Sequence, residues 1–120
     1  MKREELEKRT KKFHIDIIGF CTDFPRTHAG FEIAKQLIRS AGSVGANYRA
    51  SGRAKSIADF INKIQIIIEE ADESKYWLEV ILESKLKSTE EAKILIKEAN
   101  ELTAIFAASN KTAKANRNNV

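Results

Sequence analysis

The chain has 120 residues, of which 42% are hydrophobic and 32% charged, with a formal net charge of +4, five glycines and one proline. This composition predicts one small domain with an apolar core and excludes collagen-like, low-complexity and fully disordered chains. No charge-free stretch reaches the roughly 20 residues that cross a bilayer, the charged N-terminus differs from a secretory signal, and the lone Cys21 is typical of a reducing compartment, so we expect a cytoplasmic protein.

The first half of the chain contains two amphipathic patterns, separated at Pro25. Ahead of this proline, apolar residues recur at intervals of three and four, which predicts a helix over about residues 4–24. Behind it, Thr27 can cap a second helix that ends near Gly52. The apolar face of the second helix comprises Phe31, Ala34, Leu37, Ile38, Ala41, Val44, Gly45 and Tyr48. Its polar side comprises Glu32, Lys35, Gln36, Arg39, Ser43, Asn47 and Arg53.

The second half contains two further helical patterns. Ser56 is a suitable N-cap for a third helix that lasts to about Leu86. Residues 88–91 form a capping box, with serine first and glutamate three residues later, and predict a fourth helix to about Asn110. The basic residues 111–120 have little apolar surface to bury, so we expect a disordered tail there.

These patterns predict an all-α protein, because no stretch alternates polar and apolar residues as a strand does. Short connections after the first and third helices make their neighbours antiparallel. Four long amphipathic helices joined in this way close most simply as an up-down-up-down four-helix bundle. We therefore predict such a bundle over residues 1–110, with no internal repeat and no second domain.

The third helix carries a second row of side chains beside its core face. Ile66, Glu70, Glu73, Trp77 and Val80 follow at intervals of four, three, four and three. One interpretation is that a helix in a broad bundle touches neighbours on two sides. The other is a self-association surface, because large aromatic residues are enriched where proteins associate.

The charge is unevenly placed along the chain. The front half of the sequence and its C-terminal tail are basic, whereas the third helix is acidic. Such asymmetry is typical of a surface that faces an anion such as nucleic acid. The candidate phosphate contacts are Arg39, Arg49, Arg53, Lys55, Lys111 and Lys114. Two alternatives remain open, since these cations could be simply solvated or could meet the acidic helix of a neighbouring subunit.

The sequence offers little for catalysis or for a cofactor. Di-iron bundles need Glu-x-x-His motifs, and neither His14 nor His28 follows a glutamate at that spacing. Gly42 and Gly45 match no phosphate-binding loop, and we interpret them as sites of close helix packing. Cys21 lies on or beside an apolar face and is expected to be buried and inert. We expect no catalytic residue, metal, cofactor or small-molecule substrate.

Three runs are more specific than a generic bundle, IRSAGSVGANYR at residues 38–49, RAKSIADF at 53–60 and ESKYWL at 73–78. They resemble the bacterial four-helix bundle proteins encoded within intervening sequences of 23S rRNA genes, to which accessory proteins of diversity-generating retroelements are related. The resemblance covers residues 13–106. It implies a left-handed antiparallel bundle, a ring-shaped homopentamer, a basic surface that contacts nucleic acid, and no enzymatic activity. Many members have a glutamate after the Asn-Tyr-Arg triplet, where this chain has Ala50.

The family motif on the second helix matches Arg39, Ser43, Asn47, Arg49 and Arg53. On the third helix it matches Asp59, Lys63, Glu73, Tyr76 and Trp77. We assign one row of the third helix to the subunit interface, and it consists of Asp59, Lys63, Ile66, Glu70, Glu73, Trp77 and Val80. Arg39 has two competing interpretations, an ion pair with Glu73 or Asp59 across subunits, or a contact with phosphate.

The function that follows is a non-enzymatic, oligomeric bundle that neutralises RNA or DNA phosphates without reading bases. Its expected partners are other copies of itself, as a pentamer, and RNA or DNA, with no membrane. The alternative is a structural or protein-interaction scaffold with no nucleic-acid role.

Overall fold

Four α-helices form the molecule, for which a computed structural model describes residues 1–118. The helices are α1 (Arg3–Cys21), α2 (His28–Ser51), α3 (Ile57–Glu83) and α4 (Glu90–Asn118), and no strand occurs within residues 1–118. Each helix packs against its neighbours in the chain, and α4 returns to α1. The predicted antiparallel four-helix bundle is therefore confirmed. It is elongated, measuring 53 × 23 × 20 Å.

One continuous apolar core runs the length of the bundle. Tyr48 and Phe106 meet edge to face in it, with ring centroids 5.2 Å apart. The largest other buried side chains along the core are Phe13, Ile17, Phe20, Leu37, Ile64, Ile67, Leu78, Ile81 and Leu102. Phe31 is an exception to the predicted apolar face of α2, because it lies at the margin of the apolar arc and is 64% exposed.

The predicted N-caps of α2 and α3 are confirmed. The Thr27 hydroxyl accepts a hydrogen bond from the Gly30 amide, and the Ser56 hydroxyl accepts one from the Asp59 amide. Each bond satisfies a donor that the first turn of a helix leaves free. These caps fix where the two helices begin, and so where the α2–α3 connection lies.

The ends of α1 and α3 differ from the prediction. α1 stops at Cys21. Phe24, the last residue of the predicted apolar spacing, lies in the α1–α2 connection and packs edge to face on Phe20. α3 stops at Glu83 because Lys85 adopts a left-handed conformation, with φ of 61°. The Leu86 amide then bonds back to the carbonyl of Ile81, the pattern of a Schellman motif.

α4 differs from the prediction at both ends. It starts at Glu90, so that Thr89 and not Ser88 immediately precedes the helix. At the other end it continues past the predicted boundary at Asn110 to Asn118. The extension is physically reasonable because each added residue gains a backbone hydrogen bond once a helix is nucleated. Residues 119 and 120 of the predicted tail lie outside the described residues.

Gly42 marks a close crossing of α1 and α2, as the sequence predicts. A Cβ atom at Gly42 would lie 2.8 Å from the imidazole of His14, and one at Gly45 would lie 3.5 Å from the backbone of Thr10. On the opposite side of α1, Arg9 donates two hydrogen bonds to Glu98 of α4, at 2.8 and 2.6 Å. None of the helices formed by residues 1–118 has the length and hydropathy of a membrane span.

Candidate nucleic-acid interface

One end of the bundle gathers three segments that are distant in sequence. The antiparallel order brings the last turns of α2 and α4 to the same end as the α2–α3 connection. Lys55 and Ser56 of the connection line a shallow hollow together with Ala113 and Asn116 of α4. The continuation of α4 beyond Asn110 is what builds the far wall of this hollow.

This end carries a set of solvated cations, which we call the basic end. It comprises Arg49, Arg53, Lys55, Lys111, Lys114 and Arg117. All six side chains are exposed, and none forms an ion pair within residues 1–118. Five of them were predicted as phosphate contacts, and the fold brings these five to one end of the bundle. Arg117 is not among the cations predicted from the sequence, although it follows Lys114 at a helical spacing of three.

Arg3 lies at the same end but has a structural role. Its guanidinium donates to the Tyr48 carbonyl at 2.6 Å and to the Ser51 hydroxyl at 3.0 Å. It also lies over the Tyr48 ring, 4.4 Å from the centroid. These contacts attach the start of α1 to the end of α2, so this cation is already engaged.

Arg39 is the one predicted phosphate contact that lies away from the basic end. Its guanidinium donates to Glu73 and, at 3.0 Å, to Glu70, both on α3 of the same chain. The hydrogen bond to Glu73 is the main cause that raises the Arg39 pKa above its usual value. Within one chain, α2 and α3 already bring these groups together, and the pairing across subunits stays a prediction.

The predicted interface row of α3 lies along the seam with α2. All seven side chains, Asp59, Lys63, Ile66, Glu70, Glu73, Trp77 and Val80, are partly buried within their own chain. The Trp77 indole packs against the core and donates to Glu73 at 3.2 Å. Contact with two neighbours inside the bundle thus accounts for much of this row, and its role between subunits stays a prediction.

Asp59 at the start of this row is fixed by its local partners. Its carboxylate accepts hydrogen bonds from the Lys55 amide and from the Lys63 ammonium, both at 3.0 Å. These bonds, with the backbone bond first, lower the pKa of Asp59. The geometry holds the α2–α3 connection in place and thereby positions Lys55 at the basic end.

The remaining candidate groups are poorly suited to catalysis. Burial raises the pKa of the Cys21 thiol to about 11, against the opposing charge of Lys87, so little nucleophilic thiolate exists near neutral pH. Within residues 1–118, no cluster of three or more His, Cys, Asp or Glu side chains could hold a metal ion. His14 lies on the backbone of Gly42.

A comparison with protein families decides where this chain belongs. The family model described as "23S rRNA-intervening sequence protein" matches residues 2–108. The chain belongs to this family. A search of curated proteins finds no match.

The fold of this chain also occurs in a solved structure. It is similar to a crystal structure from Bacteroides thetaiotaomicron, of a protein with unknown function from the S23 ribosomal protein family. The two are 30% identical with a TM-score of 0.84, over 92% of this chain and 99% of that chain. The relation to retroelement accessory proteins stays a prediction.

The family match divides the basic end into two parts. Arg49, Arg53 and Lys55 lie inside the matched residues 2–108, whereas Lys111, Lys114 and Arg117 follow them. The first group therefore belongs to the part of the chain that the family model describes. The second group is added by the last turns of α4.

Proposed function

We propose that this protein is a non-enzymatic, self-associating bundle that binds the phosphate backbone of RNA or DNA through its basic end. The observation that carries the proposal is the gathering of six exposed cations, without ion pairs in residues 1–118, at one end of the bundle. The largest group of acidic residues lies on α3, whereas Glu4 and Glu7 lie near Arg49 and offset only part of the positive charge of the basic end. The field of such an end attracts a polyanion.

Solvated cations are the appropriate groups for this chemistry. When lysine or arginine neutralises a phosphate, condensed counterions are released from the nucleic acid, and this release supplies the affinity. Arg49 and Arg117 lie in the last turns of α2 and α4, where a cation also interacts favourably with the helix dipole. Arg53 and Lys55 lie in the connection beyond α2, so helix stabilisation does not account for them.

Binding of this kind does not depend on base sequence. Stacking on bases requires exposed aromatic faces, whereas at the basic end Tyr48 is buried beneath Arg3 and Phe60 is partly buried. Phosphate contacts position a protein on nucleic acid without carrying sequence information. We therefore expect similar affinities for unrelated sequences of equal length and strand number.

Self-association would bring several basic ends to one nucleic acid. Linking binding sites makes the second contact intramolecular and raises the overall avidity. The exposed apolar side chains of α1, α2 and α3 support association of copies, because soluble monomers rarely expose large apolar patches. The proposed assembly is the ring of five that the family resemblance implies, acting in the cytoplasm.

Salt-dependent binding tests the proposal. Fluorescence anisotropy with a labelled RNA hairpin and a labelled DNA duplex would be recorded between roughly 50 and 200 mM salt. Each phosphate of a duplex that is neutralised contributes about −0.9 to the slope of log K against log salt, so six cations predict a slope of about −5. Absence of binding at the lowest salt, or affinity independent of salt, would refute the function.

A further inference from the structure

A second unpartnered surface lies between α1 and α2. A groove of about 570 Å³ has a floor of Gly42, Gly45 and Ala46 and is flanked by Lys8 and Lys11 of α1 and by Arg49 of α2. We call this the α1–α2 groove. The His14 imidazole covers the floor at Gly42, whereas Ala46 is exposed, so a large side chain from outside could lie on α2 at Ala46.

Apolar side chains continue the same face beyond the groove. Ile15 and Ile18 follow Lys11 on α1 at helical spacing, and they are 57% and 44% exposed. Phe31 precedes Gly42 by three helical turns on α2 and is likewise exposed. Three large apolar side chains on one face are poorly placed in water, which indicates that another molecule covers this face.

The outer side of α3 is acidic, and its charge is opposite to that of the lysines that flank the α1–α2 groove. Glu69, Asp72, Tyr76 and Glu83 are exposed there, and we call them the α3 ridge. The Tyr76 ring is 56% exposed and rests edge to face on Trp77, with centroids 5.1 Å apart. This contact with a partly buried neighbour supports the Tyr76 side chain as an outward-facing anchor.

We infer that the α3 ridge of one copy of this chain docks in the α1–α2 groove of the next copy. The carboxylates of the ridge would face Lys8 and Lys11, and the Tyr76 ring would lie on the floor at Ala46. Opposite charge and exposed apolar groups on both surfaces are what a stable contact needs. The two surfaces differ, so the contact is head-to-tail and can close into a ring.

A second copy suits the groove better than nucleic acid does. Glu4 and Glu7 offset part of the positive charge of the groove, and the adjoining isoleucines offer apolar surface that suits a protein partner and adds nothing to the binding of a polyanion. The inference rests on the proposed self-association and adds which surfaces form it. It assigns the inter-subunit contact to Tyr76 and its acidic neighbours, which lie on a different side of α3 from the predicted Trp77 row.

Complementary variants test the inference. Ala46→Glu places a carboxylate on the groove floor opposite the acidic ridge, and Tyr76→Ser removes the anchor. Ala46 and Tyr76 are exposed on helices, so neither substitution disturbs the core. Ala104→Glu, at an exposed position of α4, is the matched control. Molar mass would be measured by light scattering after size-exclusion chromatography, and helicity by circular dichroism.

The expected results follow from a head-to-tail contact. The wild-type chain and Ala104→Glu should have a mass several times 13.5 kDa, and each of the other variants should have 13.5 kDa. An equimolar mixture of Ala46→Glu and Tyr76→Ser should form a dimer and nothing larger. In such a pair the intact ridge of Ala46→Glu can bind the intact groove of Tyr76→Ser, and no second contact of this kind can form.

Three outcomes would overturn the inference, and they separate it from the proposed function. If Ala46→Glu keeps the wild-type mass, copies associate through other surfaces. If Ala46→Glu keeps the mass but loses RNA affinity in the anisotropy assay, the groove holds nucleic acid. If the wild-type chain is itself a monomer, self-association fails as well, whereas RNA binding by that monomer would leave the role of the basic end intact.

Discussion

Arg39 of α2 donates a hydrogen bond to the carboxylate of Glu73 on α3 within one chain. The same guanidinium reaches Glu70, so one cation faces two carboxylates at the seam between the two helices. The two carboxylates offset the charge of Arg39 and disfavour the binding of a phosphate there. These ion pairs distinguish Arg39 from the cations of the basic end, which have no such partners in residues 1–118.

Arg39→Ala should weaken the bundle without weakening nucleic-acid binding. The Arg39 side chain is half exposed, so solvent screens the pair and the free energy of unfolding should fall by no more than about 1 kcal/mol. Arg49→Ala is the matched control, with reduced affinity for RNA and unchanged stability. Urea unfolding and anisotropy measure the two quantities, and a large loss of RNA affinity in Arg39→Ala would return Arg39 to the binding surface.

Lys85→Gly should stabilise the protein. Lys85 holds a left-handed conformation at the end of α3, which costs a non-glycine residue about 1 kcal/mol. We expect the free energy of unfolding to rise by about 0.5 to 1 kcal/mol. Ser84→Gly, one residue earlier in a right-handed conformation, should lower it. A lower urea midpoint for Lys85→Gly would show that the lysine side chain stabilises this turn.

Asn110→Leu should also raise the stability. The Asn110 amide is buried in α4, and neither its nitrogen nor its oxygen has a hydrogen-bond partner within residues 1–118. Removing a buried polar group without partners avoids a desolvation cost of about 1 to 3 kcal/mol. Thermal unfolding measures the change, with the exposed Asn100→Leu as the control that should differ little from wild type. A lower melting temperature for Asn110→Leu would contradict the prediction.

The Cys21 thiol should react slowly with iodoacetamide in the folded protein. Its pKa is raised to about 11 by burial, so the folded chain holds less thiolate at pH 9 than the urea-unfolded chain. Lys87→Gln should slow the reaction further, because the positive charge of Lys87 lowers that pKa. Equal rates for the folded and unfolded chains at pH 9 would show that the thiol is not shielded.

The sequence predicts the helices well because apolar spacing and capping residues determine them locally. Thr27 and Ser56 mark their helix starts by side-chain chemistry that is visible in the sequence. The end of α3 is harder to predict, since Lys85 occupies the left-handed position where glycine is the usual signal. No apolar pattern in the sequence predicts the continuation of α4 to Asn118.

The candidate sites show a different limit. Residue type alone identifies Arg49, Arg53 and Lys55 as candidate phosphate contacts. Only the fold shows that Lys111 and Lys114 lie at the same end of the bundle as these three residues. Periodicity places Arg39 on the polar side of α2, and it does not tell whether the opposing carboxylates belong to the same chain. The α1–α2 groove arises from the spacing between two helices, which no single helix pattern contains.

The most direct test of the basic end compares two triple variants that remove equal charge. Arg49→Gln with Arg53→Gln and Lys55→Gln removes three cations of the basic end, whereas Arg26→Gln with Lys93→Gln and Lys97→Gln removes three exposed cations elsewhere. Anisotropy titrations with one RNA hairpin across salt concentrations would measure affinity and slope. We expect the first variant to lose affinity and about 2 to 3 units of slope, and the second to resemble wild type. Equal losses in the two variants would contradict binding at the basic end.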